Sequence, residues 1–485
     1  MNTKASTIKA TLSQQVEAKL NSQPTWAWLV LVFGINIILK GLFLGIPDFG
    51  MDEPFTLFRA QQTYPELIQL LANNNHPPLF ESLMWLWLRI GGYDVVWLRI
   101  IPLVFSSLTA CAIFYWLKRA SGSSHLALVA ALLFTFSNQF IYFSHEIRSY
   151  PLFSFLTVLV ILLFENLLNS ASRKNILWLG VVNAILLYTH YFGAFVVVVQ
   201  VLYVLGWKRS HFKWLVISGL ISIVIYLPQV YMTLNRVVAK VESGHWLAEP
   251  GIGNLFNLLK KFTNSPVISI ILLLIVIVGL IMGWKSASTR MKQSIRIQLL
   301  LFPGVYLAMF FASSQFPMFH DRYVSYSVVF LFTLVASAIA VIPHKKVKIL
   351  LGMLTLLPML ISTNLKPEHG MAYAQVIEEI EPYRTPNSII ISAPIATYIQ
   401  LGYYLNFEHF KDYKNTLKLF EQDGVIFQQK PTIQTINPYI KKANRVILLL
   451  NEHDVEPLKP SIKRHWKIMA EKRIKQTGIL VVDKE

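Results

Sequence analysis

Cysteine and charged residues are both scarce in this chain. Cys111 is the one cysteine among 485 residues, and it lies inside an apolar run. One cysteine excludes an intramolecular disulfide framework and a zinc site built on cysteines. Charged residues make up 14% of the chain, against roughly 25% in a soluble globular domain. These shortages exclude a disulfide-stabilised scaffold and argue against a soluble enzyme.

Acidic residues are the scarcer charged type, with 26 against 44 lysines and arginines and a formal net charge of +18. A basic balance of this size can indicate a nucleic acid partner. Hydrophobic residues, however, make up 54% of the chain, and the mean hydropathy is +0.48. We therefore predict a membrane protein, with no nucleic acid partner, in which the position of the charges matters more than their sum.

Eleven apolar runs predict a transmembrane domain over residues 25–362. The first run, 26–44, is about 20 residues long, which is enough to cross a bilayer. No small-residue cleavage site follows it, so we interpret it as a retained span rather than a secretory signal. The predicted spans are 26–44, 99–117, 126–142, 151–168, 176–190, 192–206, 214–233, 266–284, 297–313, 324–342 and 349–362. The polar residues 1–24 form either an interfacial amphipathic helix or a disordered basic tail.

Basic residues are distributed unevenly between alternate loops. The loops 45–98, 143–150, 234–265 and 314–323 hold 8 lysines and arginines, whereas the alternate set, including residues 1–24, holds 17 over a shorter total length. Because positively charged loops stay in the cytoplasm, we predict a cytoplasmic N-terminus and an extracytoplasmic loop 45–98. After an odd number of spans, the C-terminal segment lies on the same outer face.

Residues 363–485 have the composition of a soluble domain. Strand-like and helix-like runs alternate in it, the former at 388–391, 446–450 and 478–482 and the latter at 372–383 and 461–472. This alternation is typical of an α/β domain. The predicted fold class is therefore a polytopic α-helical membrane protein with a small C-terminal extracytoplasmic α/β domain.

An acidic pair, Asp52-Glu53, follows the first apolar run within the loop 45–98. One interpretation is local, because Asp52 before Pro54 fits the N-cap of a helix that begins at Glu53. The other is functional, because carboxylates at a membrane boundary can act as a general base or hold a metal. The pair alone does not decide between them.

Polar side chains are also concentrated in other loops assigned to the outer face. The loop 45–98 contributes Arg59, His76 and Glu81, and two motifs follow, Ser-His-Glu-Ile-Arg-Ser-Tyr at 144–150 and Met-Phe-His-Asp-Arg-Tyr at 318–323. Arginine and tyrosine at a boundary are often simple interfacial anchors. Together, however, a carboxylate to activate a nucleophile, arginines to grip a phosphate and groups able to hold a divalent metal suit a phosphate-bearing lipid substrate.

Two single residues near the ends of predicted spans have two interpretations each. Lys40 either extends its amine to the interface or contacts a lipid phosphate. His190 is either a satisfied boundary histidine or part of the site. Neither choice is made by the sequence.

The order of these motifs resembles that of GT-C glycosyltransferases, in particular the branch of protein O-mannosyltransferases and bacterial aminoarabinose transferases. The resemblance spans most of residues 26–342. It rests on Asp52-Glu53 in a long first outer loop, His-Pro-Pro-Leu at 76–79, Trp-Leu-Arg-Ile-Ile-Pro at 97–102, Glu-Ile-Arg-Ser-Tyr at 146–150 and Asp-Arg-Tyr at 321–323. The soluble outer tail suits the bacterial members, so we expect the chain in a bacterial plasma membrane.

The resemblance implies transfer of a sugar from a polyprenyl-phosphate donor to a lipid, glycan or protein acceptor on the extracytoplasmic face. Asp52 matches the carboxylate that activates the acceptor, and Glu53 would support it or bind metal or acceptor. The residues implied for the donor phosphate are Arg99, Arg148, Tyr150, Arg322 and Tyr323. Further residues that could contact substrate or metal are His76, His145, Glu146 and His320. No cofactor is required by the motifs, and use of a divalent metal ion is left open.

One acidic pair also indicates a stereochemical outcome. A single displacement needs one base and inverts the anomeric centre, whereas double displacement uses two carboxylates as nucleophile and acid. We therefore predict inversion. The alternative function is a transporter or flippase of a lipid-linked anionic substrate, which typically has ionisable groups near the bilayer middle and inverted repeats. Neither feature is visible in this sequence.

Overall fold

The computed structural model describes residues 21–46, 48–72, 77–243, 249–316, 318–368, 370, 372–429, 432–440, 443–464 and 466–484, with the backbone alone for 231–243 and 440. The predicted amphipathic helix within 1–24 therefore lies almost wholly outside the described residues, and so does His76. By its internal contacts the chain forms two compact units. The first comprises 1–44, 69–80 and 95–367, and the second comprises 45–68, 81–94 and 368–485.

All the secondary-structure elements described in the first unit are helices. Apolar runs dominate its helices, and serines cap the N-termini of several of them. Ser265, for example, accepts a hydrogen bond from the Ile268 amide before Pro266 opens a helix. The helices are α1 Thr25–Gly41, α5 Val95–Ser121, α6 Ser124–Thr135, α7 Asn138–Ser144, α8 Tyr150–Asn169, α9 Arg173–Thr189, α10 Gly193–Trp207, α11 Phe212–Ser243, α12 Ile252–Phe262, α13 Pro266–Gly283, α14 Thr289–Leu299, α15 Val305–Ala312, α16 Asp321–Val341 and α17 Lys345–Ile361.

Each of the eleven predicted spans is helical, but fewer are long enough to cross a membrane. Among the described residues, six helical segments combine sufficient length with sufficient hydropathy, and a seventh is formed if α6 and α7, bent by 68°, count as one span. The apolar helices α1 and α10 are shorter. The predicted number of eleven spans is therefore larger than the number of described helices that are long and apolar enough to cross a membrane. The hydropathy pattern overestimates the number because it does not show where a helix ends.

The helix α16 is the core of the first unit. Nearly all of its residues from Val324 to Val341 are buried, and it contacts α6, α8, α13 and α14. The approach of α13 is especially close, since a Cβ atom at Gly279 would lie 2.7 Å from the carbonyl oxygen of Ala338. Small residues allow such backbone contacts between helices that lack a hydrophobic driving force in lipid.

This close contact makes Gly279→Ala a test of the packing. The added methyl group must push α13 away from α16, and we expect a loss of about 1–3 kcal/mol of stability. Gly219→Ala in α11 is the matched control, because a Cβ there meets nothing within 4 Å. Thermal unfolding in detergent should show a lower midpoint for Gly279→Ala alone. Equal midpoints for the two variants would contradict the contact.

The second unit contains a five-stranded sheet, as predicted for an α/β domain. Its strands are β1 Ser388–Ser392, β2 Val425–Phe427, β3 Arg445–Asn451, β4 Trp466–Ile474 and β5 Thr477–Lys484, in the order β2-β1-β3-β5-β4. β1 is parallel to β2 and β3, whereas β5 is antiparallel to β3 and β4. Buried side chains form an apolar cluster on each face of the sheet. The predicted strands at 388–391, 446–450 and 478–482 are confirmed.

One prediction for this unit is wrong: the stretch 461–472 is not one helix. A helix ends at Ile462, and the strand β4 begins at Trp466. β4 pairs with β5 through a tight turn in which Lys475 has a φ of 51°. Its charged residues fit an edge strand, where lysine and glutamate discourage further pairing. Pairing with β5 therefore overrides the local pattern.

The helices of the second unit come from both ends of its sequence. α2 Glu53–Ala60 lies in the 45–68 segment, and most of α4 Pro78–Gly91 lies in 81–94, while α3 Tyr64–Ala72 begins in this unit and ends in the other. The remaining helices are α18 Tyr373–Ile380, α19 Thr397–Gln400, α20 Gly402–Leu405, α21 Phe407–Lys411, α22 Thr416–Gln422, α23 Ile433–Ile440 and α24 Glu452–Ile462. The loop that carries the acidic pair thus folds with the C-terminal segment.

Candidate active site

The acidic pair lies at the start of α2, as its proline predicts. Glu53 is the first helical residue, Asp52 occupies the N-cap position and Pro54 follows in the first turn. The Asp52 carboxylate, however, makes no capping hydrogen bond to the helix, and the residue is half-buried. A carboxylate at an N-cap normally accepts a hydrogen bond from the first turn. The local interpretation therefore explains where the helix begins but not what the Asp52 side chain does.

Glu53 is held inside the unit. Its side chain is fully buried, and its carboxylate accepts a hydrogen bond from the Gly50 amide. This contact closes the turn from Gly50 to Glu53 and satisfies the buried charge in part. The geometry therefore gives Glu53 a structural partner next to the half-buried Asp52.

A second carboxylate stabilises α2 from the side. Glu81, on α4, accepts a hydrogen bond of 3.2 Å from the Thr56 hydroxyl and lies 3.6 Å from the Arg59 guanidinium. Glu81 is buried, so its charge needs such partners. These contacts fix α2 against α4. Arg59 and Glu81, two polar residues of the loop 45–98, therefore form an ion pair with each other.

The chain just before Asp52 is fixed by the C-terminal segment of the same unit. The Phe49 amide donates to the Tyr404 hydroxyl at 2.8 Å, and the Gln400 amide nitrogen donates to the Met51 carbonyl oxygen at 2.8 Å. The Phe49 ring also packs edge-on against Tyr403. Residues more than 340 positions away thus define the conformation of the loop.

In the first unit, four of the five predicted phosphate-binding residues lie close together. Tyr150, at the start of α8, interacts electrostatically with Arg148, Arg322 and Tyr323. Arg148 and Tyr150 are buried. The motifs at 144–150 and 318–323 are therefore brought together by the N-terminal ends of α8 and α16, although 167 residues lie between them in the sequence. A pair of arginines beside a tyrosine hydroxyl offers the donors that a phosphate requires.

His190 belongs to the same cluster. Its ring stacks on Phe153 at 4.9 Å between centroids and lies 5.8 Å from the Tyr323 ring, and it interacts electrostatically with Arg148. Its Nδ1 accepts a hydrogen bond from the Phe192 amide, so a neutral ring carries its proton on Nε2 and is a donor there. The sequence offered one signal for this residue, a histidine at the end of an apolar run.

Arg99 and His145 contact the end of α1 and the residues after it. Arg99 is fully buried and donates to the Leu44 carbonyl oxygen at 2.9 Å. The Nε2 of His145 pairs with the Lys40 carbonyl oxygen, and burial lowers the pKa of His145 to about 4. His145 is therefore neutral near pH 7 and donates to that carbonyl. Both residues anchor the chain as it leaves α1, a role that the motifs do not reveal.

Lys40 itself is fully buried in α1. Its amine donates to the Ser106 hydroxyl at 2.9 Å and lies 4.3 Å from the centroid of the Phe134 ring. Of the two interpretations from sequence, extension to the interface does not describe this environment. Asn36, one turn earlier, donates to the Thr135 hydroxyl, so the polar residues of α1 join it to α5 and α6.

The motif at 318–323 forms an ion-paired cluster at the N-terminus of α16. Asp321 is buried and lies 2.7 Å from the Lys261 amine, and its other oxygen lies 2.5 Å from the His320 ring. Asp321 also accepts a hydrogen bond from the Arg322 amide. The acidic residue thus neutralises Lys261 and orders the first turn of α16, next to Arg322 and Tyr323.

A metal site is not evident in the part of the chain that the structure describes. No group of three or more histidine, cysteine, aspartate or glutamate side chains is close enough there to hold an ion. His145 and His320 contact a carbonyl oxygen and Asp321, respectively. His76 lies outside the described residues, and Glu146, buried after α7, interacts electrostatically with Tyr150.

Part of the chain is similar to a known protein family. Residues 75–232 match the model of a family described as dolichyl-phosphate-mannose-protein mannosyltransferase. The matched segment contains six of the residues that the resemblance assigned to the site, His76, Arg99, His145, Glu146, Arg148 and Tyr150. A search of curated protein sequences found no match.

Solved structures share the fold at low sequence identity. The apo structure of ArnT from Cupriavidus metallidurans has a TM-score of 0.60 at 12% identity, and the match covers 95% of this chain and 98% of that one. The same protein bound to undecaprenyl phosphate gives 0.45 at 11%, covering 94% and 98%. The S. cerevisiae Pmt1-Pmt2 complex bound to the sugar donor gives 0.35 at 17%, covering 51% and 38%. The first comparison shows an ArnT-like fold over nearly the whole chain. The resemblance predicted from the motifs is confirmed.

Proposed function

We propose that this chain, a membrane glycosyltransferase of the mannosyltransferase family matched by residues 75–232, transfers a sugar from a polyprenyl phosphate to an acceptor on the extracytoplasmic face of the membrane. The match together with the ArnT-like fold carries this proposal. The donor class is supported by the description of the matched family, which names dolichyl-phosphate-mannose, a sugar carried on a polyprenyl phosphate. The acceptor is a lipid, a glycan or a protein.

Asp52 is the proposed general base. It is half-buried at the N-cap position of α2, and the motif resemblance assigns it to the carboxylate that activates the acceptor. A carboxylate can accept a proton from an acceptor hydroxyl or amine as that group attacks the anomeric carbon. Glu53 supports the turn that presents Asp52.

The proposed phosphate group is the cluster around Tyr150. Arg148 and Arg322 supply positive charge beside the Tyr150 hydroxyl, and Tyr323 and the Nε2 donor of His190 lie next to them. A phosphate leaving group gains negative charge as its bond to the sugar breaks, so fixed donors lower the barrier most in the transition state. Arg99, which the motif resemblance also assigned to the phosphate, holds the chain that leaves α1 through the Leu44 carbonyl oxygen.

The reaction follows as a single displacement. The acceptor oxygen or nitrogen bonds to the anomeric carbon, the bond from that carbon to the phosphate oxygen breaks, the proton moves to Asp52 and the electron pair leaves with polyprenyl phosphate. One base without a second carboxylate nucleophile predicts inversion of the anomeric centre. The loops 45–98 and 318–323 and the C-terminal unit are proposed to face outward, following the distribution of basic residues.

Turnover by the purified full chain tests this function. In lipid nanodiscs, a series of polyprenyl-phosphate sugars should include one that the protein binds and from which it releases polyprenyl phosphate, with inverted configuration in the product. A product with the donor's own configuration would contradict the single displacement. Absence of binding and turnover across the series, combined with movement of the labelled lipid across proteoliposomes, would instead support the transporter alternative.

A further inference from the structure

The loop from Asp48 to Met51, just before the proposed base, has almost no secondary structure of its own. It lies between α1 and α2, and Gly50 is among its four residues. A short loop of this kind samples many conformations unless other residues hold it. The position of the Asp52 carboxylate depends on this backbone, because Asp52 is the next residue along the chain.

Four contacts from the C-terminal segment hold this loop. The Tyr404 hydroxyl accepts a hydrogen bond from the Phe49 amide, and the Gln400 side-chain amide donates one to the Met51 carbonyl oxygen, both at 2.8 Å. The Ala374 amide donates to the Asp48 carboxylate at 3.2 Å. Gly370 packs against the Phe49 carbonyl so closely that any Cβ atom would collide with it. These contacts thus involve one backbone amide, two carbonyl groups and one side chain of the loop.

The Gln400 side chain is held by a second residue in addition to its contact with the loop. It is buried, and its carbonyl oxygen accepts a hydrogen bond of 3.3 Å from the buried Tyr373 hydroxyl. Tyr373 begins α18, and Gln400 ends α19, a short helix that follows the carboxyl end of β1. The amide therefore reaches Met51 from a rigid support, which is how supporting residues keep a catalytic group within a narrow range of positions.

We propose that Tyr404 and Gln400 are positioning residues of the transferase, which fix the backbone of residues 49–51 and thereby aim the Asp52 carboxylate at the acceptor. This inference rests on the proposed function of Asp52. Neither residue touches the reacting atoms; each acts through Asp52. A misplacement of about 1 Å in a reacting group can lower a rate 100-fold, so loss of either contact should reduce kcat. Binding of the donor does not depend on this loop and should change little.

The variant Tyr404→Phe removes the hydrogen bond to the Phe49 amide, and Gln400→Met removes the bonds to Met51 and Tyr373. Both variants keep the approximate size of the side chain. We expect kcat to fall about 10- to 100-fold, with the donor KM within about twofold of the wild-type value. There are two matched controls. Tyr398→Phe keeps its ring contact with Phe58, and Gln428→Met removes the hydrogen bond from the Gln428 side-chain amide to the Thr435 carbonyl oxygen, elsewhere in the unit. Both controls should retain the wild-type kcat.

A double-mutant cycle with Asp52→Asn separates positioning from other roles. If Tyr404 acts through Asp52, Tyr404→Phe should not reduce the residual rate of Asp52→Asn any further. A full 10-fold loss in that background, or an unchanged kcat in the single variants, would overturn the proposal. Failure of the proposed function is a different result, because then the wild type and Asp52→Asn would show the same rate.

Hydrogen exchange tests the same contact without any turnover. The Phe49 amide donates directly to the Tyr404 hydroxyl, so it should exchange at least about tenfold faster in Tyr404→Phe, while amides in β3 keep their wild-type rates. Equal exchange at Phe49 in the wild type and the variant would overturn the proposal even if no donor is known. Gly370→Ala gives a second approach, because its methyl group displaces the Phe49 carbonyl instead of removing a bond.

Discussion

Replacing Asp52 with asparagine is expected to abolish sugar transfer while donor binding persists. Asparagine has nearly the same shape, so α2 should begin at Glu53 as before, and no capping bond is lost because the Asp52 side chain makes none. The amide cannot accept a proton from the acceptor. General base catalysis contributes about 100- to 10,000-fold, and we expect a loss of transfer in that range.

Two measurements define the result for Asp52→Asn. Equilibrium binding of the polyprenyl-phosphate sugar should match the wild type, and single-turnover release of polyprenyl phosphate should fall by at least about 100-fold. Asp423→Asn is the control, since Asp423 is an exposed aspartate of the same unit paired with His409. Transfer by Asp52→Asn at more than a tenth of the wild-type rate would show that the base is another group.

Arg148→Gln is expected to weaken both donor binding and transfer. Arg148 is buried next to Tyr150 and His190, where its charge is poorly screened by solvent. Its removal takes positive charge from a phosphate that becomes more negative as the sugar leaves. Loss of one such donor lowers rates by about 100- to 1,000-fold, and we expect kcat/KM for the donor to fall by that factor.

Arg148→Lys separates the charge from the shape of the side chain. Lysine keeps the positive charge but lacks the planar pair of nitrogens that binds phosphate through two hydrogen bonds, so its kcat/KM should lie between the wild type and Arg148→Gln. Arg209→Gln, which removes an exposed arginine on another loop, should leave kcat/KM unchanged. A donor affinity for Arg148→Gln equal to that of the wild type would remove Arg148 from the phosphate site.

Much of the secondary structure could be predicted because it is determined by residues that are close together in the chain. Apolar runs located every helix that the first unit forms within the predicted spans, and three β-branched and leucine-rich runs located β1, β3 and β5. The start of α2 followed from Asp52 and Pro54. Local sequence was sufficient in these cases because the residues that decide the structure are neighbours in the chain.

Other features depend on partners that are distant in sequence. The strand β4 exists because β5 pairs with it, and a short amphipathic segment does not indicate such pairing. His190 joins Arg148 only when α8, α9 and α16 pack. The anchoring roles of Arg99 and His145 could not be predicted either, because a motif shows the residue type but not the carbonyl oxygen that it meets. The sequence therefore indicated candidates more reliably than their partners.

The order of strands in the C-terminal sheet has a consequence for biosynthesis. β5 ends at Lys484, yet it lies inside the sheet between β3 and β4. Domains fold on the ribosome from the N-terminus as the chain emerges, so the sheet that supports Gln400 and Tyr404 cannot close until β5 has been synthesised. The helices around Arg148 can assemble much earlier. A nascent chain can therefore build the helical cluster around Arg148 well before the loop 48–51 is fixed, because that loop has to wait for the synthesis of β5.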